Sequence, residues 1–101
     1  MERKTISLPR LTGLTPTMES TMLKIMEEVG ELAQAMGKFR GLSGERSSME
    51  EADVARAIVS ELLDVAQTAT SMMFVIEDIY GFDMSDEIER HIAKLQERGY
   101  L

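Results

Sequence analysis

The stretch KIMEEVGELAQAMGK, residues 24–38, has the pattern of an amphipathic helix. Its apolar residues recur every three or four positions, which is the helical period. Glu27, Glu28 and Glu31 nevertheless fall within five residues, and like charges three or four positions apart destabilise a helix by roughly 0.2–0.5 kcal/mol per pair. Either these carboxylates form a solvated face, or a cation binds among them.

The composition predicts one small, mainly helical domain. The chain has 101 residues, two Pro, one His and no Cys, and it is rich in Ala, Leu, Met and Glu, which favour helix. Without Cys, neither a disulfide nor a thiolate metal site is possible, and one His excludes a multi-His site. The sequence shows neither a signal-peptide pattern nor an apolar run of about 18 residues, so we expect a soluble, cytoplasmic protein that does not enter a membrane.

The net charge of −7 also restricts the partners. An acidic protein has no overall field that attracts a nucleic acid polymer. A small anionic ligand would have to be held by bound cations or by a local basic cluster.

The beginning of the chain predicts an arm and then a helix. Residues 1–14 show no sustained helical period, and we interpret them as an N-terminal arm that precedes a helical domain over residues 15–101. Thr15 as N-cap and Pro16 at the first helical position predict a helix over residues 16–39.

The remainder of the chain predicts one long helix, or a short helix that runs into a long one, and then a final helix. Residues 49–80 contain neither Gly nor Pro and follow a capping box that starts at Ser48. Gly81 is the predicted C-cap of this helix, and Asp83 or Ser85 is the predicted N-cap of a final helix. The middle helix would be about 48 Å long, whereas a compact domain of this size has a radius of gyration of about 13 Å. Because its apolar stripe continues to its end, we expect a second copy to cover it.

Helical-wheel positions place two pairs of carboxylates in similar environments. Glu28 and Glu31 lie on the first helix, and Glu61 and Asp64 lie on the second. The first member of each pair lies at the edge of the apolar stripe, and the second lies about 60° further out. Glu27 points away from the core. If the helices pack antiparallel, both pairs face one groove.

Four carboxylates in one groove favour a bound cation. Two like charges 4 Å apart repel by about 4 kcal/mol at an effective dielectric constant of 20. Oxygen ligands without Cys or His favour Mg²⁺, or Mn²⁺, over Zn²⁺. The alternative is that both faces are simply solvated, because Glu is a strong helix former.

Two motifs resemble those of a known family. EEVGELA at residues 27–33 and ELLD at residues 61–64 are similar to the EExxE and ExxD elements of the all-α nucleoside triphosphate pyrophosphohydrolases, the MazG-like superfamily. The resemblance extends over residues 17–101. It implies a helical bundle completed by dimerisation or tetramerisation. It also implies Mg²⁺-dependent cleavage of (d)NTP substrates to the monophosphate and pyrophosphate.

The resemblance further implies individual roles. The metal-binding and catalytic residues would be Glu28, Glu31, Glu61 and Asp64, the four carboxylates that the helical wheel had already paired. Cations that contact the substrate phosphates would be Lys38, after the first motif, and His91, Lys94 and Arg98, which share one face of the last helix.

Two other functions remain open. The chain could be a non-catalytic acidic helical-bundle interaction module, which predicts no response to metal. It could also be a phosphoribosyl-ATP pyrophosphohydrolase of the same superfamily. A di-iron bundle is disfavoured because it requires Glu-x-x-His pairs, and Ile88 stands three residues before His91.

Overall fold

The structure, a computed structural model, describes residues 1–39 and 51–101. Over these residues it is all-helical, as predicted, with α1 at Met18–Phe39, α2 at Glu51–Tyr80 and α3 at Met84–Glu97. Ser48, where the predicted capping box starts, lies outside the described residues. None of these three helices combines the length and apolar character that crossing a bilayer requires.

The start of α1 corrects one prediction. The helix begins at Met18, and Thr17 rather than Thr15 is its N-cap. The Thr17 hydroxyl oxygen accepts from the Ser20 backbone N–H at 3.0 Å, and the Ser20 hydroxyl oxygen accepts from the Thr17 N–H at 2.9 Å. This reciprocal pair is a capping-box arrangement. Thr15 cannot form one, because the residue three positions later is Met18.

The turn between α2 and α3 agrees with its prediction. Gly81 has φ of 72°, a left-handed conformation that suits glycine, and its N–H donates to the Glu77 carbonyl at 2.9 Å. The Asp83 carboxylate caps α3 by accepting from the Ser85 N–H at 2.9 Å. Of the two predicted N-caps, Asp83 is therefore the one in use.

Helices α1 and α2 form an antiparallel pair. The Thr21 hydroxyl, near the start of α1, lies 3.2 Å from the Met72 sulfur, late in α2, and Glu28 approaches Glu61 in the middle of both helices. The molecule is elongated, measuring 48 × 38 × 20 Å with a radius of gyration of 16.6 Å.

The surfaces that meet between α1 and α2 differ from the predicted apolar stripe. The residues buried on α1 are Thr21 and Glu28, so Glu28 lies within the interface rather than at the edge of the core. Met22, on the apolar side of the α1 helical wheel, is 54% exposed, and Leu62, on the apolar side of the α2 wheel, is 52% exposed. The helices meet through a face that is rotated toward the carboxylates.

Within the described residues, one side of the helix pair consequently carries several exposed apolar side chains. On a helical wheel with 100° per residue, those on α1 lie about 80–120° from Glu28. Those on α2 lie about 80–120° from Glu61, in the same direction of rotation. In an antiparallel pair, this places them on one side of both helices. We call this surface the apolar face; its exposed members are Met22, Val29, Met36, Leu62 and Met73.

The N-terminal arm packs against α2. The Arg10 guanidinium donates two hydrogen bonds to the Asp78 carboxylate, at 2.7 and 3.1 Å, and lies 4.5 Å from the centroid of the Phe74 ring. The Gln67 side-chain amide donates to the Pro9 carbonyl at 2.9 Å. These contacts hold the arm on the side of the helix pair away from the apolar face.

Candidate functional site

The predicted carboxylates converge between α1 and α2. One oxygen from each of Glu28, Glu61 and Asp64 lies within 4.8 Å of the others, and Glu28 forms a second such group with Glu27 and Glu31. The antiparallel packing therefore brings both predicted pairs together around Glu28. We call Glu28, Glu31, Glu61 and Asp64 the carboxylate cluster.

Within residues 1–39 and 51–101, two buried oxygens of the cluster have no hydrogen-bond donor. Glu28 is only 6% exposed, and its Oε2 atom and the Oε2 atom of Glu61 are buried without a partner among the described residues. A buried carboxylate oxygen without a donor or cation is energetically unfavourable. Hard divalent cations prefer such all-oxygen ligands, so these residues fit a bound metal ion.

Charge repulsion in the cluster affects Glu31. Its pKa is raised above the ordinary value, chiefly by the negative charge of Glu28, with further contributions from desolvation and from the charges of Glu61 and Glu27. An opposite charge nearby would favour the ionised form. The cluster therefore has the electrostatic character of a cation site.

Lys24 also belongs to this site, although the sequence analysis missed it. Its Nζ atom lies 3.0 Å from Glu28 Oε1 and 3.6 Å from Glu27 Oε2. The pKa of Lys24 is raised, first by the hydrogen bond to Glu28 and then by the charge of Glu27. The i,i+4 spacing of Lys24 and Glu28 is the signal that could have revealed this ion pair.

The environment of Glu27 differs from that of its neighbour Glu28. Its side chain is largely exposed, which agrees with the wheel position pointing away from the core. One of its carboxylate oxygens nevertheless reaches Glu28 and Glu31 at the margin of the cluster.

A cavity of about 400 Å³ opens on one side of the cluster. The arm forms one wall, and the facing sides of α1 and α2 form the other. Glu28 and Asp64 lie at the end of the cavity that meets the cluster. Six of the lining residues define it: Leu11, Leu14, Pro16, Asp64, Thr68 and Ser71. We call it the arm cavity.

A second cavity, of about 380 Å³, lies further along the groove. It is bounded by Glu31 and Lys38 of α1 and by Glu61 of α2. The cluster therefore lies between the two cavities, on the side of the helix pair opposite the apolar face.

Of the four residues predicted to contact phosphate, Lys38 lines a cavity beside the cluster and the other three line neither cavity. Lys38 lines the second cavity, close to two of the carboxylates. His91, Lys94 and Arg98 lie on or just after α3, which contributes no residue to either of the two cavities. Their contact with phosphate therefore stays a prediction.

Comparison with known proteins identifies the family. The family model described as the MazG nucleotide pyrophosphohydrolase domain matches residues 16–99. Neither a curated protein nor a solved structure matches the chain significantly. Because the family match covers most of the chain, the protein belongs to the MazG nucleotide pyrophosphohydrolase family.

Proposed function

We propose that this MazG-family protein is a cytoplasmic, Mg²⁺-dependent enzyme that hydrolyses (d)NTP substrates to the monophosphate and pyrophosphate. The observation that carries the proposal is the convergence of Glu28, Glu61 and Asp64. Among residues 1–39 and 51–101, a buried oxygen of Glu28 and one of Glu61 have no hydrogen-bond donor. The three carboxylates lie in a groove that has a cavity on either side of them.

Glu28, Glu31, Glu61 and Asp64 would hold the metal, with Mn²⁺ as an alternative to Mg²⁺. When bound, the ion would supply the positive charge that neutralises the carboxylates, and as a Lewis acid it would lower the pKa of water. The protein itself would position the reactants, which is the main requirement in phosphoryl transfer. Glu28 or Glu31 would orient the attacking water by accepting its hydrogen bond.

The bond changes define the products. The water oxygen bonds to one phosphorus of the α–β anhydride, and the bridging oxygen leaves with the other, taking the electron pair. The proton lost by water passes to a carboxylate oxygen or to solvent. Lys38, beside Glu31 and Glu61 in the second cavity, would contact the phosphates.

The remaining cations and the assembly belong to the same proposal. The apolar face would be covered by a second copy, which gives a homodimer or homotetramer. His91, Lys94 and Arg98 share one face of α3 and would contact phosphates once α3 is packed within that assembly.

One observation favours the interaction module as a second candidate. Lys24 supplies a positive charge 3.0 Å from Glu28, so a side chain of the protein itself neutralises part of the cluster, as a purely structural acidic face would require. A phosphoribosyl-ATP pyrophosphohydrolase would use the same cluster and differs only in its substrate.

The decisive experiment incubates the purified protein with a panel of NTPs, dNTPs and phosphoribosyl-ATP, with Mg²⁺ or with EDTA, and separates the products by chromatography. We expect monophosphate and pyrophosphate to form in the reactions that contain Mg²⁺ and not in those that contain EDTA. Asp64→Asn should lose this activity, whereas the matched control Asp53→Asn, in the exposed first turn of α2, should keep it. Diphosphate and phosphate as products would contradict the proposed bond. Absence of turnover together with an unchanged melting temperature in Mg²⁺ would favour the interaction module.

A further inference from the structure

The arm cavity contains a buried hydroxyl that the proposed chemistry does not use. Ser71 of α2 lines this cavity and is only 5% exposed. Its Oγ atom has no hydrogen-bond partner among the described residues. Buried hydroxyls are normally paired, and leaving one unpaired is unfavourable by about 1–3 kcal/mol.

The neighbouring hydroxyls show that this state is particular to Ser71. Thr68 donates to the Asp64 carbonyl at 2.8 Å, and Thr70 donates to the Ala66 carbonyl at 2.8 Å. Both bonds follow the usual i to i−4 pattern of hydroxyl side chains in helices. Ser71, on the same stretch of α2, lines the cavity and has no such bond among the described residues.

The position of Ser71 relative to the cluster suggests the ligand. Ser71 lies seven residues after Asp64, or about 10 Å along the helix axis. The cavity between them is mostly apolar, with walls that include Leu11, Leu14 and Pro16. Its volume of about 400 Å³ falls within the usual range for small-molecule pockets, about 300–1,000 Å³.

We infer that the arm cavity receives the nucleoside part of the substrate and that the Ser71 hydroxyl hydrogen-bonds to it, which makes Ser71 a specificity-determining residue. This inference rests on the proposed function for the placement of the phosphates at the cluster. The apolar walls supplied by the arm cover the base, and Gln67 and Thr68 supply further polar groups around it. A serine hydroxyl both donates and accepts, so it can pair with a base edge or a sugar hydroxyl.

Steady-state kinetics of Ser71→Ala test the role of the hydroxyl. For the nucleotide that the wild type prefers, we expect KM to rise roughly three- to tenfold, the loss expected for one neutral hydrogen bond. The value of kcat should change less than twofold, because the contact is equally present in the ground state and the transition state. Thr70→Val is the matched control, since it removes a nearby hydroxyl that bonds its own helix, and its KM should equal that of the wild type.

A metal-free titration tests the cavity separately from the reaction. Uncharged nucleosides are added to the ¹⁵N-labelled protein in EDTA while backbone amide signals are followed. We expect shifts at Gln67, Ser71 and Leu14 for at least one nucleoside, and weaker shifts in Ser71→Ala.

The outcomes separate the inference from the proposed function. If the wild type hydrolyses nucleotides but Ser71→Ala has unchanged kcat/KM for every one of them, the inference is wrong and the proposed function stands. If the wild type hydrolyses no nucleotide, the proposed function fails, while the nucleoside titration still decides whether the arm cavity binds a base. Nucleoside shifts confined to residues outside the cavity would overturn the inference in either case.

Discussion

Adjacent glutamates on α1 have very different environments. Glu28 is buried between the helices, whereas Glu27 is exposed to solvent. The helical wheel distinguished them correctly because burial follows directly from the helical period. It could not show that two buried oxygens would lack donors, since that depends on which side chains of the other helix lie opposite.

At the level of single residues, neutralising one carboxylate separates catalysis from folding. We expect Glu61→Gln to abolish pyrophosphohydrolase activity. The metal-free protein should melt at the same temperature or higher, because like-charge repulsion in the cluster is relieved. Product chromatography and thermal denaturation in EDTA provide the two measurements.

The control for this variant is Glu27→Gln, which removes an exposed charge at the margin of the cluster. It should retain most of the activity. Severe unfolding of Glu61→Gln would identify Glu61 as a structural residue instead.

Lys24 competes with the proposed metal for Glu28. Its Nζ atom, 3.0 Å from Glu28 Oε1, partly neutralises the cluster when no metal is bound. We expect Lys24→Met to lower the melting temperature in EDTA and to enlarge the stabilisation produced by Mg²⁺, since binding to the folded state alone stabilises it. Thermal melts across a Mg²⁺ titration measure both quantities.

Lys94→Met on α3 serves as the comparison, because it removes the same charge without changing either cavity. An equal effect of the two variants would show that general charge balance, rather than the Lys24–Glu28 pair, controls the response.

At the level of elements, the sequence predicted three helices and most of their ends. Gly81 was identified correctly and Asp83 was one of the two N-caps predicted for α3, because these roles depend on local backbone geometry. The N-cap of α1 was misplaced because Thr15-Pro16 is a plausible start by itself. The reciprocal bonds between Thr17 and Ser20 stabilise a start two residues later.

The corrected N-cap can be tested directly. Thr17→Ala should destabilise the protein by about 1 kcal/mol, which lowers the melting temperature of a domain this size by about 4–8 °C. Thr15→Ala should change it much less, since Thr15 precedes the capping pair. Equal destabilisation by both variants, measured by circular dichroism, would disprove this assignment.

The arm is an element whose position the sequence could not predict. Its attachment depends on the contacts of Arg10 with Asp78 and Phe74, which are distant along the chain. The hydrogen bonds from Arg10 lower the pKa of Asp78, opposed by desolvation. The stabilisation from this pair is therefore present above the ordinary pKa of Asp, about 3.9, and is lost as the pH falls through the lowered value.

We therefore expect the arm to be held at neutral pH and released when the solution is acidified well below pH 4. Heteronuclear NOE values of residues 5–12, recorded across a pH series, measure this change. Asp78→Asn should give a mobile arm already at pH 7, without a further acid transition. An arm that stays ordered in this variant would show that the apolar contacts suffice.

At the level of the whole molecule, the sequence did not reveal which apolar residues meet within one chain. The helical period fixes the width of the apolar stripe on each helix. It does not determine which part of the stripe packs against the other helix and which part faces outward. In the structure the helices meet nearer the carboxylates, and the apolar face is left uncovered. Large contiguous apolar surfaces on soluble proteins usually mark interaction sites.

We expect the protein to form a homodimer or homotetramer through the apolar face, because burying this surface removes apolar area from water on both copies. A charge at its centre should prevent assembly, so Leu62→Lys should elute at the monomer mass in size-exclusion chromatography with light scattering.

Leu23→Lys introduces the same charge on α1 at a position that is exposed but lies outside the apolar face, and it should leave the assembly intact. A wild-type protein that is monomeric at micromolar concentration, with a melting temperature independent of concentration, would contradict this prediction. If Leu62→Lys is folded but inactive, the assembly also completes the catalytic site, as expected if α3 of one copy contacts phosphates held by another.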